Sequence, residues 1–427
     1  MLVVADMIGT GVFTTTGFLA RDLQSGTAVL AAWLVGGFIA FCGALSYAEL
    51  ISAIPVNGGE YRLLSRLFHP ALGFLAGFIS LFVGFSAPIA ASALAFGKYS
   101  STVMPSVPPL LSALLLIGLF TFLHAFHVIL GGTFQNIFTA LKLLLIIGLA
   151  TAGLVGGDPG RVLASDSPSF LTTAFSPIFA VGLIFVYFSY SGWNAAAYIA
   201  GEVKRPSLYL PVALLAGTGT VTLLYVLLNW SFLASAPLQD LSGKIEVGHI
   251  AATRLFGPGA GKLVSTLIAL ALVSSVSAMM MAGPRVYQAM GEDFSRLSFL
   301  RLRTRHHAPI VAVLLQGSVA ALFAITATFE VLLTYIGFTL SLCAGLTALG
   351  VIRLRTRHRE INRPYSVWLY PVPPILFAGL SSWIALYSLV EQPMAGVAGI
   401  VTIGIGLASY FLLGRTHAPK THAPHPR

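Results

Sequence analysis

Two short polar runs that carry glycine lie inside otherwise apolar stretches. One is Gly9-Thr10-Gly11 within MLVVADMIGTGVF; the other is Ser191-Gly192-Trp193-Asn194 within IFVYFSYSGWNAAAYIAGEVKRP. The chemistry they offer belongs to the main chain. A helix interrupted in apolar surroundings leaves N–H groups bare at one half-helix end and C=O groups bare at the other. Bare N–H groups attract a carboxylate, and bare carbonyls attract an ammonium or a cation. Two such interruptions side by side suit a small zwitterion without placing a full side-chain charge at this depth, where charge is costly. Taken alone, the Gly-Thr-Gly run reads equally as close helix packing, because small residues are favoured where membrane helices touch. The second run at a matching position shifts the reading towards a site. No Gly-Lys-Ser/Thr follows the first run, so it is not a phosphate loop.

Further polar residues sit in apolar surroundings. Lys142, in QNIFTALKLLLIIGLA, is near the middle of its segment, with Thr139 one turn before it on the same face and Asn136 and Gln135 beyond. It either snorkels to the inner surface or serves as an ammonium that replaces a bound metal ion and braces an unwound first helix. No acidic residue within a span is matched to it; Glu49 and Glu202 are placed nearer the inner ends. Trp193 is read as closing over a ligand, and Ser274, Ser275 and Ser277 are pocket candidates. Glu60, Arg62 and Glu202 are gate candidates, through ion pairs that also involve Glu49, Arg66, Lys204 and Arg205; capping and anchoring are the plainer alternative. Tyr287 and Arg285 read as anchors at an inner helix end. Pro88 and Pro177 are expected to kink their helices. His124 and His127 read as ordinary helix-bonding residues. With no HExxH, GxSxG or CxxC pattern, an enzyme is disfavoured, and Cys42 and Cys343 imply neither disulfide nor metal. No metal and no cofactor are expected.

The elements that must position these residues follow from composition. Of 427 residues 56% are hydrophobic and only 9% charged, and the mean hydropathy is +0.87. A soluble domain carries roughly 25% charge, so this chain reads as a polytopic membrane protein. A helix needs about 20 residues to cross the hydrocarbon. Twelve segments qualify: 1–20, 27–53, 71–97, 108–128, 133–156, 174–200, 209–233, 260–284, 309–328, 331–351, 372–390 and 393–413. Residues 416–427 are expected to be a disordered tail, and its histidines offer only a weak metal reading. With the amino terminus placed inside, 17 of the 24 Lys and Arg fall on inner loops and the tail, 6 fall outside, and Lys142 lies within a span. That bias puts both termini in the cytoplasm and makes the net charge of +10 a matter of membrane topology, with no nucleic-acid partner. No basic leader precedes segment one; either the chain begins at the membrane surface or a segment precedes this start.

Together these residues resemble the amino acid–polyamine–organocation superfamily of permeases, most nearly bacterial exchangers of the light-subunit, L-type kind. The resemblance rests on MIGTGVF, GALSYAELISAIPVNGGEYRLL, FTALK and FVYFSYSGWNAAAYIAGEVKRPSLYLPVAL, and it runs to about residue 410. It implies an all-α polytopic membrane protein with a LeuT-like 5+5 inverted repeat (1–156 and 174–351), two additional C-terminal helices (372–413) and 12 transmembrane helices within 1–415. It further implies a substrate carboxylate on the backbone of Gly9, Thr10 and Gly11. The ammonium would meet carbonyls around Ser189, Tyr190, Ser191 and Ile8, and Trp193 and Asn194 would form the gate and pocket wall. Lys142 resembles the lysine that takes the place of sodium in sodium-coupled relatives. The expected activity is sodium-independent transport of neutral amino acids in the cell inner membrane, by exchange or proton coupling. A polyamine or cationic amino acid transporter is the alternative, and a membrane-embedded enzyme, a channel or a non-transporting sensor is the alternative of another class. The oligomeric state, monomer or homodimer, stays open.

Overall fold

The computed structural model describes residues 2–126, 132–163, 176–303 and 309–413. The expected tail at 416–427 and His127 lie outside the described residues. Among these residues the regular structure is helical throughout. Ten helices are long and apolar enough to cross a membrane by length and composition, and an eleventh apolar helix has 17 residues.

The first segment is two helices. α1 covers Leu2–Met7 and α2 covers Gly11–Leu23. α3 is Gly26–Ala53, started by the Ser25 hydroxyl accepting from the Ala28 N–H at 3.2 Å, as an N-cap serine does. α4 is the amphipathic Gly59–Leu67. α5, Pro70–Ser101, opens into a π turn over Ser80–Ser86. Pro88, where a kink is expected, follows this turn. Proline has no N–H, and its ring would collide with the carbonyl four residues back, so the turn before it widens.

α6 is Pro109–Phe126 and α7 is Gly132–Gly156. α8, Pro177–Tyr190, begins with a Ser176 cap on the Phe179 N–H. Pro177 therefore starts this helix and does not kink it, since the missing N–H of a first-turn proline costs nothing. After Tyr190 the chain turns and resumes as a 3₁₀ helix, Trp193–Glu202. α9 (Pro206–Ser235), α10 (Pro258–Asp293), α11 (Ile310–Thr326), α12 (Phe329–Arg357), α13 (Val372–Glu391) and α14 (Pro393–Leu413) follow.

α2 and α8 pack together and are largely buried; α8 also packs on α3, α12 and α13, and α5 reaches the start of α2 through Ser92 and Tyr99. The perimeter is apolar: Leu115, Phe122, Leu144 and Phe411 are all exposed. In water such a surface would drive aggregation; against lipid tails it is the natural exterior. Charged side chains among these helices are paired. Glu49, fully buried in α3, accepts two bonds from Arg355 at 2.8 and 2.6 Å and one from the Val367 N–H at 2.7 Å. Arg21 at the end of α2 bonds Asp22 and, at 2.6 Å, Glu330 of α12. Lys142 stands apart from both of these groups.

Candidate functional site

The break between α1 and α2 falls at Gly9. Ile8 N–H closes the last bond of α1 to the Val4 carbonyl at 3.1 Å, and Gly9 N–H then turns back to the Met7 carbonyl at 2.8 Å. A helix cannot propagate through such a tight reversal. α2 restarts after Thr10, and no side chain caps its amino end. The Thr10 hydroxyl is instead 2.5 Å from that of Ser92 on α5. The two glycines differ in purpose. A Cβ on Gly9 would meet only the Met7 carbonyl oxygen, at 3.9 Å, whereas one on Gly11 would run into the backbone and side chain of Ser189. Gly9 thus faces open space, and Gly11 lets α2 lie directly against α8. Thr15 and Ser189 join the same two helices through their hydroxyls at 2.8 Å.

The break after α8 abuts the first. Ser191 folds its N–H and its hydroxyl onto the Phe188 carbonyl, at 3.0 and 2.6 Å. Gly192 then takes φ 98°, in the left-handed region, which glycine enters without steric penalty. A Cβ there would sit 2.7 Å from the Asp6 carbonyl oxygen and 3.1 Å from the Met7 nitrogen. The two interruptions therefore touch, main chain to main chain. On their other side, the Tyr225 hydroxyl of α9 donates to the Met7 carbonyl, and Tyr225 packs against Trp33 and Tyr190.

Between the breaks lies a cavity of about 60 Å³. Gly9, Thr10 and Gly11 line it from one side and Phe188, Ser189 and Ser191 from another; α5 adds Ser92 and α10 adds Ser275. At roughly 10–15 Å³ for each water-sized group, it accommodates a handful of heavy atoms.

Lys142 is buried, and its Nζ donates to the Ser275 hydroxyl at 2.8 Å. Snorkelling is therefore corrected: the ammonium turns inward, to a residue of the cavity wall. Thr139, also buried, donates to the Gln135 carbonyl at 2.7 Å and stays within its own helix. Of the three serines proposed for the pocket, only Ser275 lines the cavity. Ser277 is 3.0 Å from His124 of α6, and Ser274 is buried without a partner. The reason is helical phase: at about 100° per residue, neighbours one or two positions away face elsewhere.

Four further expectations change. Trp193 does not line the cavity. It is wedged edge-on between Tyr47, at 4.7 Å, and Phe377, at 5.7 Å, because Gly192 turns the chain away before it. Asn194 points to Glu60, and the Tyr190 hydroxyl to the Trp33 carbonyl. Ile8 is buried outside the cavity wall. The gate residues also find other partners than their neighbours in sequence. Glu60 accepts from Asn194 at 2.6 Å, Tyr198 at 2.8 Å and Tyr47 at 2.9 Å. Arg62 bonds Asp293 of α10 at 2.7 Å, Tyr61 donates to the same carboxylate, and Asn57 donates to Glu202 at 3.1 Å. Tyr287 is buried and reaches the Ser80 carbonyl at 3.4 Å.

Asp6 was not among the expected site residues, and it corrects the expectation that no acidic residue within a span is matched to Lys142. It lines the cavity and lies within electrostatic reach of Lys142. The signal was present: an aspartate inside an apolar first segment, three residues before Gly9, is a functional candidate by its depth alone. Among the described residues no group of three or more His, Cys, Asp or Glu is arranged to hold a metal.

Comparison with known proteins gives a coherent answer. Residues 1–413 match the family model described as amino acid permease. The chain is 28% identical over 422 residues to the serine/threonine exchanger SteT of Bacillus subtilis (strain 168), covering 96% of this chain and 94% of that protein. It is 29% identical over 432 residues to the large neutral amino acids transporter small subunit 2 of Homo sapiens, covering 98% and 80%. It is 28% identical over 421 residues to the b(0,+)-type amino acid transporter 1 of Mus musculus, covering 96% and 85%.

Proposed function

The chain belongs to the amino acid permease family; it is a secondary active amino acid carrier and not an enzyme, and from that premise we propose that it moves neutral amino acids, independently of sodium, by alternating access. The observation that carries this reading is the contact between the two helix breaks, where Gly192 lies against Asp6 and Met7 beside the cavity. The substrate carboxylate takes the uncapped N–H groups at the start of α2, from Thr10 and Gly11, where the helix dipole adds partial positive charge. The ammonium takes the opposite polarity, at the carbonyl ends of α1 and α8 on the side of Ser189 and Ser191.

Lys142 supplies a fixed positive charge through Ser275, where a sodium-coupled carrier would need a metal ion. Glu60, with its three donors from α3 and the 3₁₀ segment, and Arg62, with Asp293, hold the inner side closed. Trp193 and Asn194 act there as wedge and tie, away from the ligand. The Lys and Arg bias supports cytoplasmic termini. The span pattern supports two inverted five-helix repeats followed by α13 and α14, 12 crossings in all when the split first segment and the 17-residue helix are included. The printed names of two relatives, one for large neutral amino acids and one for serine and threonine, support the substrate class.

Cationic amino acids form the second reading, favoured by Asp6 in the cavity wall and opposed by Lys142 within its reach. Purified protein in liposomes, loaded with one amino acid and offered a radiolabelled panel in sodium or choline buffer, tests both readings. Saturable uptake of a neutral amino acid, equal in the two buffers, is expected. Uptake only with sodium, or of arginine alone, defeats the proposal.

A further inference from the structure

We propose that the Asp6 carboxylate is the counter-charge for the substrate ammonium, and that it is the residue by which the carrier distinguishes an amino acid from an acid of the same shape. This inference rests on the amino acid reading above and goes further by assigning the cation end of the site to a side chain.

The position suits the role. Asp6 is the penultimate residue of α1, Leu2–Met7. It therefore stands at the carbonyl end of one half-helix, across the break from the uncapped amino end of α2. A zwitterion with its carboxylate on the Thr10 and Gly11 side turns its ammonium towards Asp6. Among the described residues that line the cavity, Asp6 is the one with an ionisable side chain.

The supply of acceptors points the same way. A carbonyl oxygen has two lone pairs. That of Met7 already accepts from the Gly9 N–H at 2.8 Å and from the Tyr225 hydroxyl. That of Phe188 accepts from the N–H and the hydroxyl of Ser191, at 3.0 and 2.6 Å. Two main-chain carbonyls at the breaks are thus filled by the protein itself. The wall hydroxyls are engaged as well: Ser189 with Phe185 and Thr15, Ser92 with Thr10, and Ser275 with Lys142. Among the described residues no hydrogen bond reaches the Asp6 carboxylate, which keeps its acceptor capacity. Lys142 lies within its electrostatic reach, but the Lys142 ammonium donates to Ser275. A half-buried carboxylate without a donor is unfavourable. A substrate ammonium supplies three donors and a positive charge, whereas a 2-hydroxy acid supplies one donor and no charge.

The full chain in proteoliposomes tests this. The best amino acid of the panel is radiolabelled, and its 2-hydroxy acid counterpart (lactate for alanine, for example) is the competitor. Wild type is expected to ignore a hundredfold excess of the hydroxy acid. In Asp6→Asn the KM for the amino acid is expected to rise roughly 10- to 100-fold, as for loss of a charge-assisted hydrogen bond, and the hydroxy acid is expected to compete within a few-fold. Asp6→Ser, a smaller polar replacement, gives the same reading if the asparagine variant fails to insert. The thermal shift of the solubilised variant with each compound reports the preference even where flux is lost. Variants that keep the wild-type preference, at whatever rate, overturn the proposal and leave Asp6 as a counter-ion of Lys142 alone. Absence of amino acid uptake by wild type in the panel overturns the functional reading and this inference with it.

Discussion

Adding one methyl group at Gly192 tests whether the contact of the two breaks matters to transport. In Gly192→Ala the new carbon meets the Asp6 carbonyl oxygen at 2.7 Å and the Met7 nitrogen at 3.1 Å, on a residue whose φ is 98°. The left-handed conformation costs a residue with a Cβ about 1–2 kcal/mol. Overpacking against fixed backbone adds about 1–3 kcal/mol. α1 has little room to retreat, because the Tyr225 hydroxyl holds the Met7 carbonyl from behind. The expected destabilisation is therefore about 2–5 kcal/mol, a sizeable share of the roughly 5–15 kcal/mol typical of a folded protein. Relief requires the breaks to part, which spoils the cavity between them. Initial uptake rates in proteoliposomes, normalised to inserted protein, should fall at least tenfold, and the melting temperature in detergent should fall with them. Gly118→Ala in α6 is the control, since a Cβ there meets nothing within 4 Å. Gly192→Ala protein that transports and melts like Gly118→Ala would refute the reasoning.

Other substitutions separate packing from binding. Gly9→Ala has open space for its methyl group, so it should melt like wild type while raising KM by filling part of the cavity; a lowered melting temperature with KM unchanged would contradict this. Lys142→Ala removes the donor to Ser275 and leaves Asp6 without its nearby positive charge. Flux should drop at least tenfold with insertion intact, as judged by membrane abundance, and unchanged flux would remove Lys142 from the mechanism. Glu49→Ala strips Arg355 of its partner and leaves the Val367 N–H unbonded. A loss of about 3–5 kcal/mol is expected from breaking such a pair, visible as a lower melting temperature whether or not substrate is present.

Both breaks were legible in the sequence because glycine and small polar residues cluster where an uninterrupted span would be apolar. The span boundaries were legible for the same reason that lipid-facing helices are uniform: nothing polar intervenes. What the sequence concealed is side-chain direction. Ser274, Ser275 and Ser277 look alike in a string, yet only one phase of α10 faces the cavity. Trp193 looked like a lid until the turn at Gly192 sent it towards Tyr47 and Phe377. The ion pairs were hidden by distance along the chain, since Arg62 and Glu49 find their partners on α10 and α12, more than 200 residues away. Asp6 is visible in the sequence as an acid in an apolar segment, but its place on the cavity wall depends on the break three residues later.

The tight seat of Gly11 on Ser189 restricts how the carrier can turn over. With no side chain on Gly11, the backbone of α2 seats directly on Ser189 of α8, where a Cβ would collide. The Thr15–Ser189 bond adds a second pin in the same pair. α2 and α8 are therefore expected to travel together as one lever, since parting them would break that bond and open the seat of Gly11 on Ser189.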